Sequence, residues 1–253
     1  MMAPRIMPCL LLQDGSLVKT VKFKNPGYIG DPINAIKIYN EKEVDELILL
    51  DIAASVEKRK PNIFMIRQIA AECFMPLAYG GGITTLNEIK EILKIGVEKV
   101  SLNTAAIENP NLVKEASDAF GSQAIVVSID VKKNPWGNYE VYGCRGTRSI
   151  HKHPLHFAGK MEELGAGELL ITSIDKEGTW EGYDIELLKQ VSSSVAIPII
   201  ANGGAGKIDD FAEAIKRGGA SAAATGSMVV YQKKNLGVLI NFPGRLELER
   251  ILS

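Results

Sequence analysis

Two pairs of glycines carry the clearest chemical signal in this chain, because backbone N–H groups left bare after a strand can hold an anion without any side chain. Gly81 and Gly82 lie in MPLAYGGGI, and Gly203 and Gly204 lie in IPIIANGGAG. Each pair closes an apolar run that follows a proline, and a helical pattern comes next, so the turn presents helix-opening N–H groups suited to a phosphate. Asn103 and Thr104 end the following apolar run in the first case, and Thr225, Gly226 and Ser227 do so in the second. Gly178, in the EGTW turn, is assigned to the same set. Glycine also simply permits a tight strand-to-helix turn, but two matched turns favour a ligand with a phosphate at each end.

A second cluster mixes a thiol with imidazoles: Cys144, His151, His153 and His156. These groups can bind zinc, yet their spacing matches no finger pattern, and a polar loop is the simpler reading, so no metal and no cofactor are expected. Cys9, Cys73 and Cys144 make an odd number with no CxxC spacing, which suits a reducing, cytoplasmic setting better than a disulfide framework.

The elements that position these residues follow from a repeat. Placing Gly81 on Gly203, an offset of 122 (203 minus 81), also carries Pro76 onto Pro198, Glu46 onto Glu168 and Asp51 onto Ser173. The chain reads as two homologous half-barrels. Eight apolar runs alternate with helical patterns, and the runs are too continuously hydrophobic to have a solvated face, as in parallel strands covered by helices. Strands are expected near residues 6–12, 47–51, 76–79, 100–103, 124–131, 169–173, 198–201 and 222–225. Helices are expected to begin near Pro32, Asn62, Leu86, Asn111, Pro154, Ile185, Ile208 and Arg245, several after caps or first-turn prolines such as Asp31 before Pro32 and Thr84 or Thr85 before Leu86. With 253 residues, 46% of them hydrophobic, and no linker, the expectation is a single α/β domain over residues 1–253, a (β/α)8 TIM barrel. Two connections, 14–30 and 132–152, are longer than the fold needs; both fall at its C-terminal face, where long loops commonly act as lids.

The net charge of −1 excludes an overall basic field for nucleic acid or anionic lipid. The N-terminal MMAPRIMPCLLLQDG has too short an apolar run for a signal peptide, and no run of ~18 apolar residues predicts a membrane span. After the last strand, NLGVLINFPGRLELERIL places Pro243 and Gly244 between an apolar run and a short amphipathic helix, expected to cover a barrel flank.

Nearly the whole chain, through RIMPCL, NTAAIENP, GSQAIVVSID, ELGAGELLITSID and IANGGAG, resembles the cyclase subunit of imidazole glycerol phosphate synthase, HisF. The resemblance implies a barrel bound at its N-terminal face to a HisH-like glutaminase, with ammonia passing through the barrel to a bisphosphorylated substrate. In that family the ammonia closes an imidazole ring in histidine biosynthesis. It also implies acid and base work by two aspartates, at the ends of the first and fifth strands. Asp130 fits the second; the first, within PCLLLQDG, is Leu11, which can neither carry a proton nor accept a hydrogen bond. Asp14 aligns with a later aspartate and does not replace it. Glu177 stands for the aspartate of a DGT turn, and Lys19 for the lysine of the first lid. Arg5, Glu46, Lys99 and Glu168, at or near strand beginnings, match the charged ring around the ammonia entrance; a salt-bridged barrel floor is the plain alternative.

The retained ring with a broken aspartate pair points to a HisF-like subunit that delivers ammonia. The EGTWEGYD turn and INFPG tail resemble paralogues associated with amidination of surface sugars such as those of lipopolysaccharide, where an ATP-dependent sugar amidotransferase is the acceptor. Two alternatives stay open: a true cyclase (a lyase) that tolerates Leu11, and a non-catalytic allosteric scaffold of the glutaminase. Asp130 is balanced between catalysis and orienting a ligand.

Overall fold

A computed structural model describes residues 4–252; residues 1–3, part of the N-terminal stretch judged against a signal peptide, and residue 253 lie outside it. The strands are β1 (Arg5–Gln13), β2 (Ser16–Val21), β3 (Lys24–Gly30), β4 (Leu47–Asp51), β5 (Leu77–Gly80), β6 (Lys99–Leu102), β7 (Ile125–Lys133), β8 (Tyr139–Gly143), β9 (Arg148–Ser149), β10 (Glu168–Ser173), β11 (Ile199–Asn202) and β12 (Ala222–Thr225). Eight of these, β1, β4, β5, β6, β7, β10, β11 and β12, pair in parallel and close on themselves through β12 with β1 and β7 with β10. This is a (β/α)8 barrel.

Side-chain alternation along each strand sorts the core into two layers. Met7, Cys9, Ile48, Ala78, Val126, Leu170, Ile200, Ala222 and Ala224 fill the barrel interior. Residues of opposite phase, such as Ile6, Leu10 and Leu12, pack outward against the helices. Leu11 is therefore in phase with the inward Met7 and Cys9.

The helices are α1 (Pro32–Glu41), α2 (Ile63–Glu72), α3 (Leu86–Lys94), α4 (Thr104–Glu108), α5 (Asn111–Phe120), α6 (Pro154–Glu163), α7 (Ile185–Ser192), α8 (Asp209–Ala212), α9 (Ser227–Val230) and α10 (Arg245–Leu252). Asp31, Asn62 and Asp184 cap α1, α2 and α7 through their side chains, and Thr85 with Glu88 forms a capping box on α3. Each cap satisfies an otherwise orphan N–H and is worth about 1 kcal/mol. The helix at Asp209 starts one residue after its expected position and widens into a π turn over Glu213–Arg217 before the glycine pair 218–219.

The repeat is visible in the backbone. Pro76 and Pro198 have no N–H to donate and lie just outside their strands, yet their carbonyls accept from Leu47 N at 2.9 Å and Leu169 N at 3.0 Å, a pair of bonds 122 residues apart. Gly81 and Gly203 have φ of 117° and 87°. A Cβ on Gly81 would sit 2.3 Å from the Asp51 carbonyl oxygen, and one on Gly203 would sit 2.8 Å from that of Ser173. Both turns therefore require glycine, at positions related by the same offset.

The long connections are ordered differently from loops. Residues 14–30 form an antiparallel hairpin of β2 and β3, and residues 132–152 continue β7 into a second hairpin with β8 and β9. The tail both covers and exposes: Phe242 and Leu248 are buried, whereas Leu246 and Leu239 are exposed.

Candidate active site at the C-terminal face

One cavity at the strand ends gathers the residues that sequence reasoning assigned to chemistry and to phosphate. Lys19, Asp130, Glu177 and Leu11 line it, with Gly81, Gly82, Asn103 and Thr104 from one half-barrel. Gly178, Gly203, Gly204, Thr225, Gly226 and Ser227 line it from the other.

Asp130 sits on β7 where the strand leaves the barrel, and its carboxylate accepts from Asn103 Nδ2 at 3.2 Å. The same amide donates to Ser128 O at 2.9 Å, which fixes its orientation. Burial raises the Asp130 pKa to about 7, against the lowering effect of hydrogen bonds from Thr172 and Asn103, with Glu177 adding repulsion. A carboxyl of this kind exchanges a proton near neutrality, as general acid–base work requires. No second carboxylate stands at Leu11. That side chain is half-buried, pairs in register with Leu50 of β4, and shares an apolar wall with Leu50 and Cys9. Burial pushes the Cys9 thiol up to about 12, so this group behaves as a small hydrophobe. Asp14 is exposed in the β1–β2 turn with φ of 51°, away from the site.

The β2–β3 hairpin folds over the cavity, which Lys19, Thr20 and Phe23 line. Lys19 is buried, ion-paired to Glu177, and also donates to Thr20 O at 3.0 Å. Glu177 accepts from Phe23 N through its other oxygen at 3.0 Å, and its carbonyl accepts from Lys22 N at 2.9 Å. One carboxylate thus ties the lid lysine and the hairpin tip together. Gly178 allows the close approach, since a Cβ there would lie 2.6 Å from Thr20 O. The Lys19 stem packs on Gly226, where an added Cβ would lie 2.8 Å from Lys19 Cε.

At the opposite, N-terminal end, Arg5, Glu46, Lys99 and Glu168 close a ring. Arg5 reaches Glu46 at 2.5 Å and Glu168 at 2.7 Å; Lys99 reaches Glu46 at 2.9 Å and Glu168 at 3.2 Å. Each charge faces two of opposite sign, which satisfies groups whose isolation would be costly.

Other residues were not singled out from sequence. Ser101, Thr172, Asn202 and Arg145 line the cavity, and Asp51 pairs with Arg59 at 3.3 Å. The strand-borne ones were in principle readable as inward positions near strand ends; Arg145, on a turn, had no such signal. The Cys144–His156 cluster disperses: His153 accepts from Leu155 N at the start of α6, and His151 leans on Glu140 at 3.5 Å. Among the described residues, no group of three or more His, Cys, Asp or Glu is placed to hold a metal ion.

A sequence model of the histidine biosynthesis protein family matches residues 5–235. The Pseudomonas aeruginosa protein named "Putative imidazole glycerol phosphate synthase subunit hisF2" is 51% identical over 243 residues, covering 96% of this chain and 97% of the relative. This chain is a HisF family member. A Leptospira borgpetersenii HisF protein named with the same qualifier is 45% identical over 252 residues (99% of both chains). The HisF subunit of Alkaliphilus metalliredigens is 41% identical over 236 residues, covering 93% of this chain and 94% of the relative. Membership in the HisF family agrees with the barrel. No described helix is long and apolar enough to cross a membrane.

Proposed function

We propose that this HisF-like synthase subunit receives ammonia from a HisH-like glutaminase docked at its N-terminal face and conducts it through the barrel to the C-terminal cavity. There it is passed to a separate acceptor enzyme, an ATP-dependent amidotransferase acting on a surface sugar. The observation that carries this reading is Leu11: an apolar side chain in the inward phase of β1, on a wall shared with Leu50 and Cys9, where the acid–base partner of Asp130 is needed. Ring closure with two proton transfers requires two groups of different protonation state; a single carboxyl supplies one.

Support for passage comes from the intact floor and from the interior above it. Ammonia, as a neutral molecule, suits an apolar interior with alanines at 78, 222 and 224. Swinging Lys99 away from Glu46 and Glu168 would open the ring at its centre. The two glycine turns facing one cavity support a phosphorylated small molecule as ligand. The Lys19–Glu177 pair couples its binding to lid position.

A second reading, a working cyclase, is favoured by Asp130 itself, whose pKa of about 7 and hydrogen bond from Asn103 keep it suited to proton transfer. One assay separates the two. With ammonium or with glutamine plus glutaminase as nitrogen source, conversion of the ribulosyl aminoimidazole carboxamide ribotide is expected to fall at least ~10²-fold below ordinary enzyme rates, the worth of a positioned proton-transfer group. Turnover at ~1 per second or faster would establish the cyclase and overturn the conduit.

A further inference from the structure

Five charged side chains line the cavity, and four have partners. Lys19 and Glu177 neutralise each other, Asp51 pairs with Arg59 at 3.3 Å, and Asp130 accepts from Asn103 at 3.2 Å. The fifth is Arg145. Among the described residues, no acceptor lies within hydrogen-bonding or ion-pairing distance of its guanidinium.

The turn that carries it is held in an uncommon shape. Cys144 and Arg145 both have left-handed backbone, φ 51° and 56°, a conformation that side-chain-bearing residues adopt at a cost in free energy. Three hydrogen bonds keep it so: Cys144 N to Thr104 Oγ1 at 3.4 Å, Thr147 N to Cys144 O at 3.3 Å, and Thr147 Oγ1 to Cys144 O at 2.7 Å. Gly146 is wedged against Phe23 and Ile174 on the far side. The turn that carries the guanidinium is thereby tethered to Thr104, in the half of the cavity that also holds Gly82, and Arg145 lines the cavity. Independent evidence that the cavity awaits a polar ligand comes from Ser101 and Thr225. Both are more than nine-tenths buried and line it, yet neither hydroxyl oxygen has a hydrogen-bond partner. Buried hydroxyls are ordinarily satisfied.

We propose that Arg145 is the side-chain anchor for a phosphate monoester at the Gly82 and Thr104 side of the cavity. The proposal rests on the phosphorylated-ligand reading given above and adds a polarity to it. Arginine's fork of donors matches two phosphate oxygens at once. On the Gly204 and Ser227 side Glu177 already holds the Lys19 charge, and Lys176, whose Cβ lies beside Gly204, is ion-paired with Glu181 at 3.8 Å. The two ends therefore differ: one is gripped by backbone plus a free guanidinium, the other by backbone and hydroxyls. A bisphosphorylated ligand is oriented by this difference, and a singly phosphorylated one goes to the Thr104 end first.

The test is a titration of the 15N-labelled chain with inorganic phosphate, following the amides of Gly82 and Thr104 at one end and Gly204 and Ser227 at the other. In the wild type both pairs shift, the Thr104 pair at lower phosphate. Arg145→Gly suits the left-handed backbone and so keeps the turn. It weakens the Thr104 end on the order of tenfold, the loss typical of a charge-assisted hydrogen bond, and leaves the Gly204 end unchanged. Arg145→Lys, which keeps the charge without the fork, falls between. A Thr104 midpoint unmoved by Arg145→Gly, or equal weakening at both ends, overturns the anchor while sparing the phosphate reading. Wild-type amides silent at both ends overturn the phosphate reading and the anchor with it.

Discussion

The two ends of this barrel handle charge in opposite ways. At the floor, four ionised side chains from β1, β6, β10 and the residue preceding β4 form a closed ring in which every member has two partners. At the top, the ends of β1 and β7 and the two hairpins deliver an unlike set: a carboxyl held near neutrality at Asp130, a leucine at position 11, a lysine occupied by Glu177, and an arginine with no partner among the described residues. The floor is arranged to be stable as it is. The top leaves the Arg145 guanidinium and the buried hydroxyls of Ser101 and Thr225 without partners among the described residues.

Breaking the floor is expected to have the largest effect. Glu46→Ala leaves Arg5 and Lys99 sharing Glu168 alone, and removing one partner from a buried network costs about 3 kcal/mol or more. Denaturant unfolding at pH 7 checks this, with an unchanged slope showing that the native fold persists. A loss under 0.5 kcal/mol would make the ring no more than a surface feature.

At the top, Asp130→Asn works in the other direction. The folded-state pKa of Asp130 is raised, from 3.8 to about 7, so the folded protein binds the proton more tightly than the unfolded chain. Below about pH 4 the group is protonated in both states and costs nothing. As pH rises from there to about 7, ionisation favours the unfolded chain and stability is lost, fully so above pH 7. The asparagine variant lacks this slope and is more stable than wild type at pH 8, by on the order of 4 kcal/mol at most. Melting temperatures measured across pH 4–8 decide it: parallel profiles for the two proteins would mean that Asp130 ionises without strain.

Glu177→Gln gives the smallest change in stability and the sharpest contrast with Glu46. Both carboxylates are buried and ion-paired, but Lys19 lies on a hairpin outside the closed barrel, whereas Lys99 belongs to a barrel strand. The expected cost is about 1 kcal/mol or less, accompanied by faster hydrogen exchange confined to residues 19–23. A cost matching that of Glu46→Ala would show the hairpin to be as immobile as the floor.

Much of this arrangement was legible in the sequence, and the limits have physical causes. The barrel strands are readable to within one or two residues because continuous apolar runs mark them, two of these directly after a proline. The 122-residue repeat located both glycine turns before any geometry, since glycine is required there by a carbonyl on the preceding strand. The strands within the long connection 14–30 are not legible because its tip, Lys22 and Phe23, has left-handed φ of 52° and 62° without the Asn-Gly pair that announces such a turn. Glu177, more than 150 residues away, supplies the hydrogen bonds to Lys22 and Phe23 that hold it. The turn at Cys144 and Arg145 was illegible for the same reason, so the unpartnered cation went unnoticed. In each case a tertiary contact fixes a backbone that local sequence does not request.

The lid latch also sets a clock. A hairpin fastened to one residue, through its carboxylate to Lys19 and Phe23 N and through its carbonyl to Lys22 N, admits a ligand only as often as that fastening lets go, however many encounters diffusion provides. Rapid mixing would then show an association rate that climbs with ligand concentration and levels off at the opening frequency of the hairpin, a ceiling the chain carries within itself and that Glu177, the residue that closes the lid, would raise when shortened or neutralised.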